Sequence, residues 1–372
     1  MIYLDSAATT LHKPPEVSRA VLRAMQSMSS PGRGGHQAAQ AAEETVFRCR
    51  NLAASYFDVP SPEQVALTFN ATHGLNIAIK TLVPRGGRAL ISAWEHNAVT
   101  RPLHALGAEV IVARAPLFDR AATLRAFEER LSMRPDAVIC THVSNVFGFL
   151  LPIEEIAKMC QMRGIPFIVD ASQSAGIVPL SMRALGAEFI AMPGHKSLYG
   201  PQGSGLLLCK NSAVPLLEGG TGSASIAQQM PDFLPDRLEA GTANVPAIAG
   251  LAEGLRFVME KGARIRAYED QLLQRAGKGL RQIPGVTAYT APEQIGVISF
   301  SVVGHSPEEV AAELADRSIA VRAGLHCAPL AHESAGTLPE GTVRLSVSAF
   351  SRGYDIDLLL RAVRQIAQKK HR

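Results

Sequence analysis

Lys196, Cys327 and Arg344 are side chains whose types and settings could do covalent chemistry and hold its substrate. Lys196 stands in Ala-Met-Pro-Gly-His-Lys-Ser-Leu-Tyr-Gly-Pro-Gln-Gly (191–203), after an apolar run at 188–192 and before a loop broken by glycine and proline. A lysine at the mouth of a buried strand loses water, and with it part of its preference for the ammonium form. The free amine can then form a Schiff base with a carbonyl group. Cys327 lies in Val-Arg-Ala-Gly-Leu-His-Cys-Ala-Pro (321–329), bracketed by Gly324 and Pro329 and therefore expected on a loop. Arg322 and His326 are close in sequence and are expected to favour its thiolate, the nucleophilic form. Arg344, inside the strand-like run Thr-Val-Arg-Leu-Ser (342–346), can fork onto a carboxylate such as that of an amino acid, or form a sheet-edge ion pair.

A second set of residues suggests what the Lys196 amine would meet. Asp170 ends Pro-Phe-Ile-Val-Asp-Ala-Ser-Gln (166–173). A carboxylate at a strand end can hold a proton on a pyridine nitrogen, as pyridoxal phosphate requires. It can equally cap a helix. Gln173 can meet the phenolic oxygen of such a ring or cap a turn. His96, in Trp-Glu-His-Asn-Ala (94–98), can stack on an aromatic cofactor and move protons, or simply be solvated. Thr72-His73-Gly74 opens a helix-like stretch, where N–H groups and a hydroxyl suit a phosphate or serve as an ordinary cap.

These residues must be brought together by elements far apart in sequence. Apolar runs at 65–69, 89–92, 110–113, 137–141, 167–170, 189–192 and 205–209 read as strands covered on both faces. Helical patterns lie between them, for example the stripe Ile153, Ile156, Ala157 and Cys160. This alternation predicts an α/β fold with a mostly parallel sheet. Asn145, Asp170 and Lys196 fall at or just after strand ends, the edge where open α/β sheets bind ligands. Beyond Pro246 the texture changes. A helix is expected over about 247–282, with Gly254 and Gly262 as weak points, then strands at 297–303 and 343–347 around a helix at 307–318. Two domains are expected: a large one over 16–246, and a smaller α+β one formed by 1–15 plus 247–372 and carrying the Cys327 loop.

Composition agrees with an enzyme. The chain has 372 residues, 47% hydrophobic and 19% charged, with a net charge of +4. No block of like charge suggests nucleic-acid binding, and the basic tail at 369–372 reads as a frayed end. No apolar run is long enough to span a membrane, and the start lacks the layout of a signal peptide, so a cytoplasmic location is expected. The five cysteines form no Cys-x-x-Cys pair, so neither a metal site nor a disulfide framework is expected. Cys140, Cys160 and Cys209 fall in apolar patterns and read as buried, inert thiols.

Taken together the motifs resemble the class-V, fold-type I pyridoxal-phosphate enzymes, and within them the cysteine desulfurases and selenocysteine lyases. The resemblance runs through residues 3–10, Arg33-Gly34-Gly35-His36, Asn70-Ala71-Thr72, Glu95-His96, Ser144-Asn145-Val146, Asp170 to Gln173, Gly194-His195-Lys196, Glu239-Ala240-Gly241-Thr242 and the stretch 322–328. It implies a large seven-stranded, mostly parallel sheet domain with a smaller α+β domain. It implies pyridoxal 5'-phosphate carried on Lys196, paired with Asp170, stacked by His96 and met by Gln173. Thr72, His73 and His195 would bind its phosphate. Thr242 would reach that phosphate from the second subunit of a homodimer. Asn145, Arg322, Arg344 and His36 would hold the substrate. Cys327 would take sulfur from L-cysteine as a persulfide and leave L-alanine.

The chain departs from the family pattern in three places. Pro193 stands where a Ser or Thr is usual, removing one phosphate contact. His73 replaces a common Glu. Ser197 adds a residue after Lys196. The short segment from Cys327 to Val343 resembles the type II desulfurases, which implies a sulfur-acceptor protein as partner. L-Selenocysteine as substrate, another aminotransferase or β-lyase reaction, and a non-catalytic scaffold are the alternative readings.

Overall fold

The computed structural model describes residues 1–32 and 34–369; Arg33 of the expected substrate motif and the tail residues Lys370, His371 and Arg372 lie outside the described residues. The strands are β1 (Ile2–Tyr3), β2 (Val65–Thr68), β3 (Arg88–Ser92), β4 (Glu109–Ala113), β5 (Ala137–Thr141), β6 (Phe167–Asp170), β7 (Phe189–Pro193), β8 (Gly205–Cys209), β9 (Val286–Tyr289), β10 (Val297–Val302), β11 (Ile319–Ala320), β12 (Arg322–Gly324) and β13 (Thr342–Ser346). The longer helices are α1 (Pro15–Ser27), α2 (Gln37–Tyr56), α3 (Ala71–Leu82), α4 (Asn97–Ala105), α5 (Arg120–Leu131), α6 (Ile153–Met162), α7 (Met182–Leu185), α8 (Val245–Arg281), α9 (Pro307–Asp316), α10 (Pro329–Ala335) and α11 (Gly353–Ala367).

All seven expected strands join one sheet, in the order β2-β8-β7-β6-β5-β3-β4. Its pairs are parallel except around β8, which runs antiparallel to both neighbours. Strands β5, β6, β7 and β8 are buried along their whole length, which explains their unbroken apolar sequence. Register places Thr141 opposite Asp170, and Asp170 opposite Ala191. The carboxyl ends of three neighbouring strands therefore meet where Asp170 and the Lys196 loop begin.

A four-stranded sheet, β12-β13-β10-β9, forms the second layer, backed by α8 and α9, with α11 packed on both helices. Strands β9, β11 and β12 are too short and too polar to show as apolar runs. Residues 2–10 bridge the two sheets. The Leu4 N–H donates to the Ala320 carbonyl at 2.9 Å and its own carbonyl accepts from Ser346 at 2.8 Å. Six residues later the Thr10 N–H donates to the His195 carbonyl at 3.0 Å. The expected packing of the N-terminal segment against the small-sheet region thus extends across to the lysine loop.

Helix α8 runs unbroken through Gly254 and Gly262. Gly254 is not a weak point. A Cβ there would collide with the carbonyl of Leu198, so glycine lets the helix press against the Lys196 loop. A buried ion pair braces the opposite flank. Arg50 of α2 grips Glu239 through two hydrogen bonds of 2.6 and 2.5 Å, and Glu239 also accepts from the Leu67 N–H at 2.6 Å. Glu239 is 19% exposed, so removing either partner would cost about 2–3 kcal/mol, less than for a fully buried pair. No described helix is long and apolar enough to cross a membrane.

Candidate active site

A cavity of about 210 Å³ opens at the carboxyl ends of β5, β6 and β7. It gathers Thr72, His96, Asn145, Asp170, Gln173, His195, Lys196, Arg322, Cys327 and Arg344. Ten of the residues singled out in the sequence thus converge there.

Lys196 sits three residues past β7, in a turn held from both sides. Thr10 Oγ1 donates to the His195 carbonyl at 3.1 Å, and the Tyr199 N–H donates to the Lys196 carbonyl at 2.9 Å. Loss of water is the main influence on its amine and lowers it to about 8, against the opposing pull of Asp170. Among the described residues no hydrogen bond engages that amine. Asp170 is 2% exposed, and its Oδ1 accepts from the Ser172 N–H at 2.9 Å. It turns the chain rather than capping a regular helix.

His96 caps α4. Its Nδ1 accepts from the Ala98 N–H at 3.0 Å, so the neutral ring carries its proton on Nε2. Burial lowers it to about 4 and keeps it uncharged, although Asp170 pulls the other way. His195 is likewise lowered to about 4 by burial and by Lys196, and its Nδ1 is buried without a partner. Gln173 donates to the Ala7 carbonyl at 3.1 Å. Asn70, not Thr72, caps α3 by accepting from the His73 N–H at 2.9 Å, which leaves the Thr72 hydroxyl at the cavity wall.

Arg344 and Arg322 are directly opposed across β13 and β12. Two like charges in that register repel unless an anion lies between them. Arg344 is 2% exposed and held from two sides: Nη2 to Asp5 Oδ1 at 2.9 Å and Nη1 to the Asn145 carbonyl at 2.8 Å. It forms an ion pair, but on an interior strand rather than a sheet edge. Its Nε remains buried and unpartnered. Arg322 is exposed and has no acidic partner among the described residues. Cys327 is the one exposed cysteine; Cys140, Cys160 and Cys209 are buried, as expected from their apolar settings, and so is Cys49.

Three residues lie elsewhere. His36 is exposed and caps α2 by accepting from the Ala39 N–H. His73 stacks on Phe69 at 4.7 Å, with an Nδ1 that accepts from the Phe69 N–H, and turns toward a larger neighbouring recess. Thr242 lines that same recess. The expectation that His326 helps form the Cys327 thiolate is corrected. Its ring is buried, its Nε2–H donates to the Thr342 carbonyl at 3.1 Å, and burial beside Arg344 lowers it to about 2, so it carries no charge.

Some residues of the site gave no local signal. Asp5 aligns Arg344 from 339 positions away. Glu95, one residue before His96, accepts from Ser92 and from the Thr141 N–H, and burial raises it to about 8. It is a neutral acid beneath the site. Lys13, lowered to about 8 by burial, donates to the Thr10 carbonyl and hydroxyl at 3.0 Å.

The profile of the Aminotransferase class-V family matches residues 2–359. A protein of Mycolicibacterium paratuberculosis named a probable cysteine desulfurase is 34% identical over 99% of this chain and 56% of its own length. A cysteine desulfurase of Escherichia coli is 32% identical over 88% of this chain and 84% of its own length. The chain spans 56–62% of the length of the first three curated relatives it matches. Among solved structures, the apo cysteine desulfurase of Thermococcus onnurineus superposes with a TM-score of 0.90 at 29% identity, over 99% of this chain and 94% of that one. The profile match covers both sheets and every element that lines the cavity, so the chain belongs to the class-V aminotransferase family.

Proposed function

We propose that the chain is a pyridoxal 5'-phosphate-dependent cysteine desulfurase that converts L-cysteine to L-alanine and takes the sulfur onto Cys327 as a persulfide. One observation carries the reading. A water-starved amine, a pair of opposed arginines and an exposed thiol share one small cavity. The names of the relatives and of the solved neighbours agree with it.

The residues present fit the cofactor. Lys196 supplies an amine without a competing hydrogen bond, and Asp170 an acidic partner for the pyridine nitrogen. His96 offers a neutral ring face. The orphaned Nδ1 of His195, the Thr72 hydroxyl and the first turn of α3 suit its phosphate. Pro193 brings no hydroxyl to that cup. When bound, pyridoxal phosphate acidifies the substrate Cα–H and stores the released electrons.

The side chains of the cavity do the rest. Arg344 and Arg322 bind the substrate carboxylate, and Asn145 braces that end of the cavity. With its amine free, Lys196 would take the Cα proton; a base near its operating pH contributes roughly 10²–10⁴-fold. The Cys327 thiolate then bonds to the substrate sulfur as the Cβ–S bond breaks. The bonding pair stays with Cβ, which gains a proton and becomes a methyl group, and Lys196 returns a proton to Cα to complete alanine. Thr242 is assigned to a homodimer, in which it would reach the cofactor phosphate of a second copy, while His73 stays with the phosphate-binding set of its own chain. A protein that accepts sulfur from Cys327 is the further partner, and 16–246 against 1–15 plus 247–372 is the domain division we favour.

Mass spectrometry of the intact protein after exposure to L-cysteine tests this reading. One added sulfur atom on Cys327, with alanine formed in step, is the expected result. Alanine formation at the parent rate in Cys327→Ala would overturn it.

A further inference from the structure

His326 and Cys327 are consecutive residues in the left-handed backbone region, with φ of 49° and 57°. Side-chain-bearing residues avoid that region, so the surroundings must hold them there. Four hydrogen bonds do. The Ala328 N–H closes the turn onto the Leu325 carbonyl at 2.9 Å. The Asn97 N–H, at the start of α4, donates to the Cys327 carbonyl at 2.7 Å. The Asn145 amide donates to the His326 carbonyl at 2.8 Å. The His326 ring donates from Nε2 to the Thr342 carbonyl at 3.1 Å.

The bond from the His326 ring differs from the others. It is made by a side chain of the turn itself, and it anchors the turn to β13. Thr342 is fixed in its turn, because its hydroxyl donates to Ser299 Oγ at 3.1 Å and Ser299 donates to the Val146 carbonyl at 2.7 Å. The ring is buried, 5.7 Å from that of His332, and among the described residues its Nδ1 has no partner. The Thr342 hydroxyl lies 3.4 Å from the same Nε2, so both polar contacts of the ring go to Thr342.

We propose that His326 is a positioning residue for sulfur transfer: its ring locks the left-handed turn that presents Cys327 to the Lys196 cavity. The role rests on the reading of Cys327 as the sulfur carrier. His326 acts through the backbone of its neighbour and takes no proton from it.

Three variants of the holoenzyme test this. Glutamine can set an N–H where the histidine Nε2 lies; asparagine falls short of it, and alanine has no donor. His326→Gln is expected to stay close to the parent. His326→Asn and His326→Ala should lose about a hundredfold in sulfur transfer to Cys327, the scale of an ångström-level misplacement. Solvent-deuterium exchange into the Cα of L-alanine, which needs Lys196 but not Cys327, should be retained. Amide exchange at Asn97 should quicken by at least about tenfold as its acceptor carbonyl moves away. Parent-like sulfur transfer in His326→Asn or His326→Ala would overturn the proposal. Equal losses of sulfur transfer and Cα exchange would also overturn it, because they mark a general structural defect. Loss of transfer without a change at Asn97 would do the same. Should the parent take no sulfur from cysteine, the functional reading fails, while the Asn97 exchange still decides whether the ring holds the turn.

Discussion

The lysine side and the cysteine side of the cavity are built in opposite ways. Lys196 follows a fully buried strand and is starved of water, with its loop pressed against α8 at Gly254. Cys327 is exposed on a turn between β12 and α10, in a backbone conformation its own side chain disfavours. The difference teaches a division of labour. A base tuned by desolvation needs a rigid, apolar seat. A thiol that must reach a substrate and then pass sulfur on needs access, and its precision has to come from bonds to the carbonyls around it.

The most severe way to break the lysine side is Lys196→Ala. Alanine formation should fall by at least about 10³-fold, and the visible absorption of bound cofactor should vanish on spectrophotometry. Cys327→Ser breaks only the other side. Sulfur transfer should drop by about a hundredfold or more, while deuterium exchange into alanine Cα persists by mass spectrometry. Asp5→Ala strikes the arginine strand between them. Asp5 is 19% exposed and Arg344 2%, so the loss should be about 2–3 kcal/mol in a denaturant titration, below that of a fully buried pair.

Two pH experiments sharpen the comparison. The Lys196 amine is lowered to about 8, so cofactor uptake by the apoprotein should quicken as pH rises from 6 to about 8 and then level off in stopped-flow absorbance. The smallest effect concerns Glu95, raised to about 8. The folded chain keeps a proton there that the unfolded chain releases above the ordinary carboxylate range. Stability through this group is therefore greatest in acid and declines as pH rises toward 8. Glu95→Gln should flatten that decline in thermal melts. Buried His96, His195 and His332, lowered to about 4, act in the other direction. The folded chain refuses protons there that the unfolded chain accepts, so their contribution is lost as pH falls below about 6.5.

Much of the large sheet was legible because its strands are apolar throughout and their ends carry the chemistry. Asp170, Lys196 and Asn145 could be read as neighbours from that rule alone. The small sheet was less legible. Strand β12 is three residues long and contains Arg322 and Gly324, so no apolar run announces it. His326 misled because nearness in sequence says nothing about where a ring points. His36 lies in a stretch that matches the family and His73 directly after one, yet each spends a ring nitrogen on a backbone N–H at or just before the start of its own helix. Asp5 was invisible as a partner of Arg344 because their meeting depends on β1 lying beside β11 and on the bridge from Asp5 to Ser346.

The ribbon of residues 2–10 acts as a tether with little slack. It is tied to β11 and β13 at one end and to the His195 carbonyl at the other. Any hinge motion that parts the two sheets must first draw on that tether, and the strain reaches the lysine turn and the Arg344 strand together. Wide opening would therefore disturb both halves of the cavity at one stroke.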